Sequence, residues 1–284
     1  MIKKGTGFLV LPKDKIDKRD YLFASRKPFL APSIPSSYDG RIFCGPILDQ
    51  LQTSSCTGQS HASVEDMLWM AGGKAQRVFS PLFSYWNARD VQGWTKQDQG
   101  AYIFDVLKQF KKYGIAPESL HPFKKGVFSK PDMWAFGFGK FFGPKEGSYY
   151  KITDANMDKS FVDDVKVAIA NGYGVIGGIT IFDDFYSPQS GVINMPIISN
   201  SEKVGGHAMH WIGYVDLEGP MYQKALDDEI GFETIIINAS KVPTSQGFLI
   251  FKNSWGVEYG RKGYGMIPYE YVDEYGNDFW AIKK

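Results

Sequence analysis

The chain lacks any apolar run near the roughly 18 residues that a membrane-spanning helix needs. Its opening, Met1-Ile2-Lys3-Lys4, is cationic like an export signal, but the apolar stretch that follows, Phe8 to Leu11, stops at Pro12. An export signal needs a longer apolar segment, so a cytoplasmic location is expected. Net charge is also lacking: 32 basic residues stand against 31 acidic ones. Such a balance leaves no overall field to draw in nucleic acid or an anionic membrane, and neither is expected as a partner. The lysines at 108, 111, 112, 124, 125 and 130 read as a solvated face. There are only two cysteines, Cys44 and Cys56, too few for a disulfide framework, so at least one thiol is free for chemistry. No internal repeat or low-complexity tract is present.

What the chain does have is a change of pattern midway. Residues 1–36 carry Pro12, Pro28, Pro32 and Pro35 among mixed charges and read as an extended arm. Apolar residues Ala62, Val64, Met67, Leu68 and Trp69 predict a buried helix from Cys56 to Met70, stopped by Gly72-Gly73. Ser80 and Pro81 announce a second helix, and a third is expected from about Ala101 to Tyr113 before Gly114. After the aromatic, glycine-rich stretch Trp134 to Pro144, strands are expected at Tyr149–Thr153, Tyr173–Phe182, His207–Val215, Glu233–Asn238 and Phe248–Lys252, with a helix at Phe161–Ala170. A helical part at 37–140 followed by a strand-rich part at 141–284 predicts an α+β protein with a cleft where the two meet.

A thiol becomes a nucleophile when its pKa is lowered, and a helix N-terminus with a histidine nearby does this by stabilising the thiolate. Cys56 opens a predicted helix inside the small, polar segment Ser54-Ser55-Cys56-Thr57-Gly58. Of the four histidines, His207 follows Gly205-Gly206 and is expected at a strand end that can reach a cleft. His210, three residues on, points to the opposite face and reads as structural. His61 lies about 140° round the helix from Cys56, and His121 precedes Pro122 in a loop with no evident partner. No spacing between Cys56 and these histidines suits a metal site. An imidazole that must hold one tautomer needs an acceptor on its other nitrogen, and the amide oxygen of Asn253, screened by Trp255, is the candidate. Taken alone, Cys56 reads more readily as a small core cysteine and Asn253 as a turn residue. Their combination is what carries weight.

Three segments together resemble the papain family of cysteine peptidases in motif and order: Gln50 to Cys56, Gly205-Gly206-His207-Ala208 with Gly213-Tyr214, and Lys252-Asn253-Ser254-Trp255-Gly256 with Gly263-Tyr264-Gly265. The propeptide-poor branch found in bacteria, archaea and their viruses is more similar still, on Asp17 to Tyr21, Ile34 to Arg41, Leu48-Asp49-Gln50, Ser55-Cys56-Thr57, Phe83 to Arg89 and Gly100 to Gly114. Thr53 and Thr57 depart from the cysteine and tryptophan that many secreted members carry at these places, and the usual disulfide is absent with them. The separation of His207 from Asn253 is longer than relatives usually have, which implies an insertion at about 217–247.

The resemblance implies a two-lobed fold, with a helical lobe and an antiparallel barrel-like lobe on either side of the active-site cleft. It implies a polypeptide substrate and no cofactor or metal. Cys56 would be the nucleophile, His207 its base in a thiolate–imidazolium pair, Asn253 the group orienting the base, and Gln50 the side-chain donor to the oxyanion. Gly100, Gly206 and Trp255 would meet the substrate, and the two glycines before His207 leave room for a large apolar side chain. A binding component that keeps this site, or an acyl-transfer enzyme such as a peptide ligase or cell-wall amidase, are the rival readings. The arm is too short and proline-rich to form a folded inhibitory domain. It is expected to strap the lobes together, burying Phe8 to Leu11 and Tyr21 to Phe23 away from Cys56.

Overall fold

Ser80 accepts the N–H of Phe83 on its hydroxyl at 3.0 Å and Pro81 takes the first helical position, so the helix begins where sequence placed it. This computed structural model describes residues 4–10, 12, 22–26, 30, 33–144, 149–152, 161–186, 188, 191–197, 199, 201–216 and 246–283. In chain order the elements are β1 (Ser37–Asp39), α1 (Cys56–Ala71), α2 (Pro81–Val91), α3 (Ile103–Tyr113), α4 (Met133–Gly139), β2 (Tyr149–Lys151), α5 (Val162–Ala170), β3 (Gly174–Phe182), β4 (Lys203–Asp216), β5 (Gly247–Lys252), β6 (Tyr264–Pro268), α6 (Tyr269–Tyr275) and β7 (Gly276–Ile282). The fold is α+β.

Among the described residues the strands form one antiparallel sheet in the order β2-β7-β3-β4-β5-β6, with β1 added against β4. β1 therefore carries the start of the helical part into the sheet. Asp216 and Gly247 are register partners, so the extra sequence between His207 and Asn253 leaves and rejoins at adjacent strand ends. The expected insertion, apart from its last two residues, and the expected strand Glu233–Asn238 lie outside the described residues.

One face of the sheet packs α1 through Ile176, Ala208, Ile212 and Ile250, and the other encloses an aromatic core that includes Trp211, Phe251 and Phe279. α1 meets β4 through short polar side chains. Ser60 Oγ donates to the Ala208 carbonyl at 2.8 Å, and Ser63 Oγ lies 2.9 Å from His210 Nδ1. Gly58 lets α2 approach, because a Cβ there would lie 2.4 Å from the Pro81 carbonyl oxygen. These contacts fix the first turn of α1 over the middle of β4.

Two expectations need correction. β4 begins at Lys203, so His207 lies within the strand rather than at its end, paired with Ile179. Gly205 and Gly206 pair in extended form with Ile181 and Thr180. α3 starts at Ile103, because Ala101 is held in a bridge to Phe8 instead of a helical turn.

Candidate active site

Cys56 is the first residue of α1, and the backbone N–H groups of Ala208, Thr57 and Cys56 itself are directed at its sulfur. His207, beside Ala208 on β4, holds its Nε2 at 2.8 Å from Asn253 Oδ1, a distance at which Nε2–H donates to the amide oxygen. Nδ1 is then the free basic nitrogen, and it is buried without a hydrogen bond. The Asn253 oxygen is fixed in turn by the N–H of Ser254 at 2.8 Å. Trp255 lies over the His207 ring, centroids 4.7 Å apart, and is covered by Tyr186 at 5.1 Å. At 3% exposure with the arm in place, Trp255 shields the His207–Asn253 bond.

Gln50 comes from the loop before α1. Its backbone N–H donates to the Ser254 carbonyl at 2.8 Å, and Ser254 Oγ donates to its side-chain Oε1 at 2.7 Å. The amide is thereby fixed with Nε2 pointing away from Ser254. Leu51, next in the chain, takes a left-handed φ of 56°, a conformation costly outside glycine, and the Asp49 carboxylate supports it by accepting its N–H at 2.8 Å. Ser254 is a residue that sequence reasoning passed over. Its signal was its place between Asn253 and Trp255.

The arm lies where a strap away from Cys56 was expected not to lie: residues 4–9 run across the site. Gln50 Nε2 donates to the Gly5 carbonyl at 2.9 Å, and the Gly5 N–H donates to Leu51 at 3.2 Å. The N–H of Gly7 is directed at the Cys56 sulfur. Ala101 N–H donates to Gly7 O at 2.9 Å, Leu9 N–H to Ala101 O at 3.2 Å, and Phe8 N–H to Gly206 O at 3.2 Å. Lys4 Nζ closes the end of the segment on Asp49 at 2.7 Å. The physical reason is glycine. A Cβ at Gly7 would stand 1.9 Å from the Ser54 carbonyl oxygen, and one at Gly5 2.1 Å from that of Thr53, so only a bare backbone threads this slot. Of the other arm residues expected to be buried, Phe23 is, against Tyr173, while Val10 and Leu22 are half exposed; Leu11 and Tyr21 lie outside the described residues.

Of the residues expected to meet substrate, Gly206 gives its carbonyl to the Phe8 N–H of the arm. Gly100 does not pair, because its N–H is taken by Tyr85 Oη at 3.1 Å, and the neighbouring Ala101 presents both backbone groups instead. The Phe8 ring lies on Gly178, where an added Cβ would come within 2.5 Å of three ring carbons.

With the arm in place Cys56 and His207 are both fully buried. Burial pushes the Cys56 thiol up to about 11, against the downward pull of the surrounding N–H groups, and lowers His207 to about 4, against the upward pull of Asn253. With water excluded from both, burial favours the neutral thiol and the neutral imidazole over the expected ion pair while the arm is in place.

Residues 34–278 match the family of papain-type cysteine proteases, and the chain belongs to that family as a cysteine-type peptidase. It is 27% identical over 311 residues, spanning all of this chain and 88% of the relative, to an uncharacterized peptidase C1-like protein of Acanthamoeba polyphaga mimivirus. Among solved structures it superimposes on xylellain, a cysteine protease from Xylella fastidiosa, with a TM-score of 0.73, 24% identity and coverage of 99% of this chain and 97% of that one. Procathepsin B from Trypanosoma congolense gives 0.65 at 15% identity, covering 99% and 87%. Among the described residues no helix is long and apolar enough to cross a membrane.

Proposed function

We propose that the chain hydrolyses peptide bonds within polypeptides through Cys56, His207 and Asn253. The observation that carries this reading is the 2.8 Å bond from His207 Nε2 to Asn253, which leaves Nδ1 as the base on the residue next to Ala208, whose N–H faces the sulfur. His207 takes the thiol proton and the thiolate attacks the substrate carbonyl carbon. The oxyanion forms between the Gln50 side-chain amide and the Cys56 N–H, where loss of one such donor typically raises a barrier by about 2.7–4 kcal/mol. Collapse breaks the C–N bond, His207 gives its proton to the leaving amine, and a thioester remains on Cys56. Water, deprotonated by His207, then attacks the thioester and restores the thiol. Asn253 keeps the imidazole in the tautomer and orientation that both steps need.

The arm fills this position: its Gly7 N–H is directed at the sulfur, and its Gly5 carbonyl engages the amide that the oxyanion needs. Turnover therefore requires residues 4–9 to leave. The test is an unbiased peptide mixture incubated with the chain and with Cys56→Ala, read for new termini by mass spectrometry. Cleavage that the variant lacks supports the reading. Joined peptides point to a ligase, and an unchanged mixture to a binding component.

A further inference from the structure

α4 sits in the fold with its apolar side outward. Its inner face is anchored: Ala135 is fully buried, Phe136 rests on Phe83 and Tyr113 at 5.3 and 5.0 Å, and the Gly139 carbonyl accepts Ile115 N–H at 3.2 Å. The outer face and the turn that follows present Met133, Trp134, Phe138 and Phe141, which are 77%, 65%, 46% and 82% exposed. A surface helix normally places polar residues outward. Here Trp134, Phe138 and Phe141 recur at helical spacing on the outward side with Met133 beside them, interrupted only by the exposed Gly137, so the apolar side chains form one patch and not scattered exposure.

Cations surround it. Lys140 lies between Phe138 and Phe141 in the chain, and Lys130 two residues before the Asp132 cap, both exposed. Lys112 Nζ is 4.6 Å from the centroid of Tyr113, which packs on Phe136, and exposed Lys111 precedes it. On the other side Arg77 lies 4.9 Å over Phe142, the residue after Phe141. Between positions 106 and 144 the only acids are Glu118 and Asp132. Both are engaged, Asp132 capping α4 at the Ala135 N–H and Glu118 accepting the Phe123 N–H. The near-zero total charge conceals this local excess.

We propose that this face docks the chain on a lipid bilayer carrying negative headgroups. Trp and Phe inserted at the level of the headgroups, with lysines reaching the phosphates and serine carboxylates around them, is the chemistry of an interfacial helix. A second copy of the chain fits poorly, since a two-fold contact would set these lysines against their equivalents. An acidic protein would meet the lysines but would not need four protruding apolar side chains.

The test is co-sedimentation of the full chain with phosphatidylcholine vesicles, and with vesicles in which about a third of the lipid is phosphatidylserine. The bound fraction should rise about tenfold on the anionic vesicles and fall back when salt reaches about 1 M. Trp134→Ser with Phe141→Ser, and separately Lys111→Glu with Lys112→Glu, should each abolish the gain. All four positions are exposed or at the rim, so circular dichroism and melting should stay those of the parent. Absence of binding to anionic vesicles, equal binding to both vesicles, or retention by the Trp134/Phe141 variant overturns the proposal. So does a dimer in sedimentation velocity that this variant disperses, which would assign the face to a second copy.

Discussion

Gln50 Nε2 is bonded at 2.9 Å to the carbonyl of Gly5, forty-five residues earlier in the same chain. The donor that the proposed chemistry needs for an oxyanion is thus engaged by the arm, and the arm's own backbone pairs with Ala101 and Gly206, the groups proposed to hold an extended substrate.

Expelling the arm should expose the thiol. Gly7→Ala cannot be accommodated, because its Cβ would stand 1.9 Å from a backbone oxygen. Loss of Phe8 burial removes about 1.5–3 kcal/mol that favours the closed form, a population shift of about 10- to 150-fold. In Gly7→Ala, iodoacetamide near pH 6 should modify Cys56 faster than Cys44 by about that factor relative to the parent, with a lower melting temperature. Unchanged labelling of Cys56 contradicts the closure.

Ser254→Ala should act through Gln50. Removing the 2.7 Å bond to Oε1 frees the amide to rotate. A neutral hydrogen bond is worth about 0.5–1.5 kcal/mol, so kcat/KM should fall about 2- to 12-fold in an arm-displaced background. Gln50→Ala, which removes the donor itself, should cost about 100- to 1000-fold in kcat. Equal losses in the two variants would show that Ser254 does more than hold the amide.

Phe8 marks the shape of a side-chain pocket. A side chain at Gly178 would collide with its ring. Gly178→Val should loosen the arm and, in arm-displaced enzyme, shift cleavage of a peptide library away from sequences with a large apolar residue at this pocket and towards small ones. An unaltered sequence preference would place the pocket elsewhere.

Acid should destabilise the fold through its buried histidines. Burial lowers His207 to about 4, and it lowers His210 well below 6.5 with help from the Lys252 charge. The unfolded chain binds protons on both rings from about pH 6.5 downward, whereas the native chain binds one on His207 only near pH 4 and one on His210 only well below 6.5. The unfolded state therefore holds more protons in that window, and stability falls with pH by at most about 1.4 kcal/mol per unit for each ring. The melting temperature should drop from pH 7 to pH 5. A flat or rising profile contradicts the neutral, buried rings.

The site was more legible than the path that covers it. Cys56, His207, Asn253 and Gln50 could be singled out as candidates because chemistry restricts the residue type at each place, and the caps of α1 and α2 because Ser80, Pro81 and Gly72-Gly73 act locally. The course of the arm depends on backbone clearances at Ser54 and Thr53 that no local pattern encodes, although Gly5 and Gly7 two apart were the trace of it. β4 was read four residues short because glycine's low strand preference is overridden by pairing with β3 and by close passage of Phe8. α4 was left unassigned because its apolar residues lie on the outside, reversing the pattern by which a surface helix is recognised.

The most direct measurement is mass spectrometry of quenched reactions between the Gly7→Ala chain and a peptide with a large apolar residue in the Phe8 pocket. The account predicts a covalent acyl adduct on Cys56 within the first turnover, followed by two products with a new carboxyl and a new amino terminus, and neither in Gly7→Ala/Cys56→Ala. Hydrolysis that persists without Cys56, or an arm-displaced chain that forms no adduct and cuts no peptide, would contradict it.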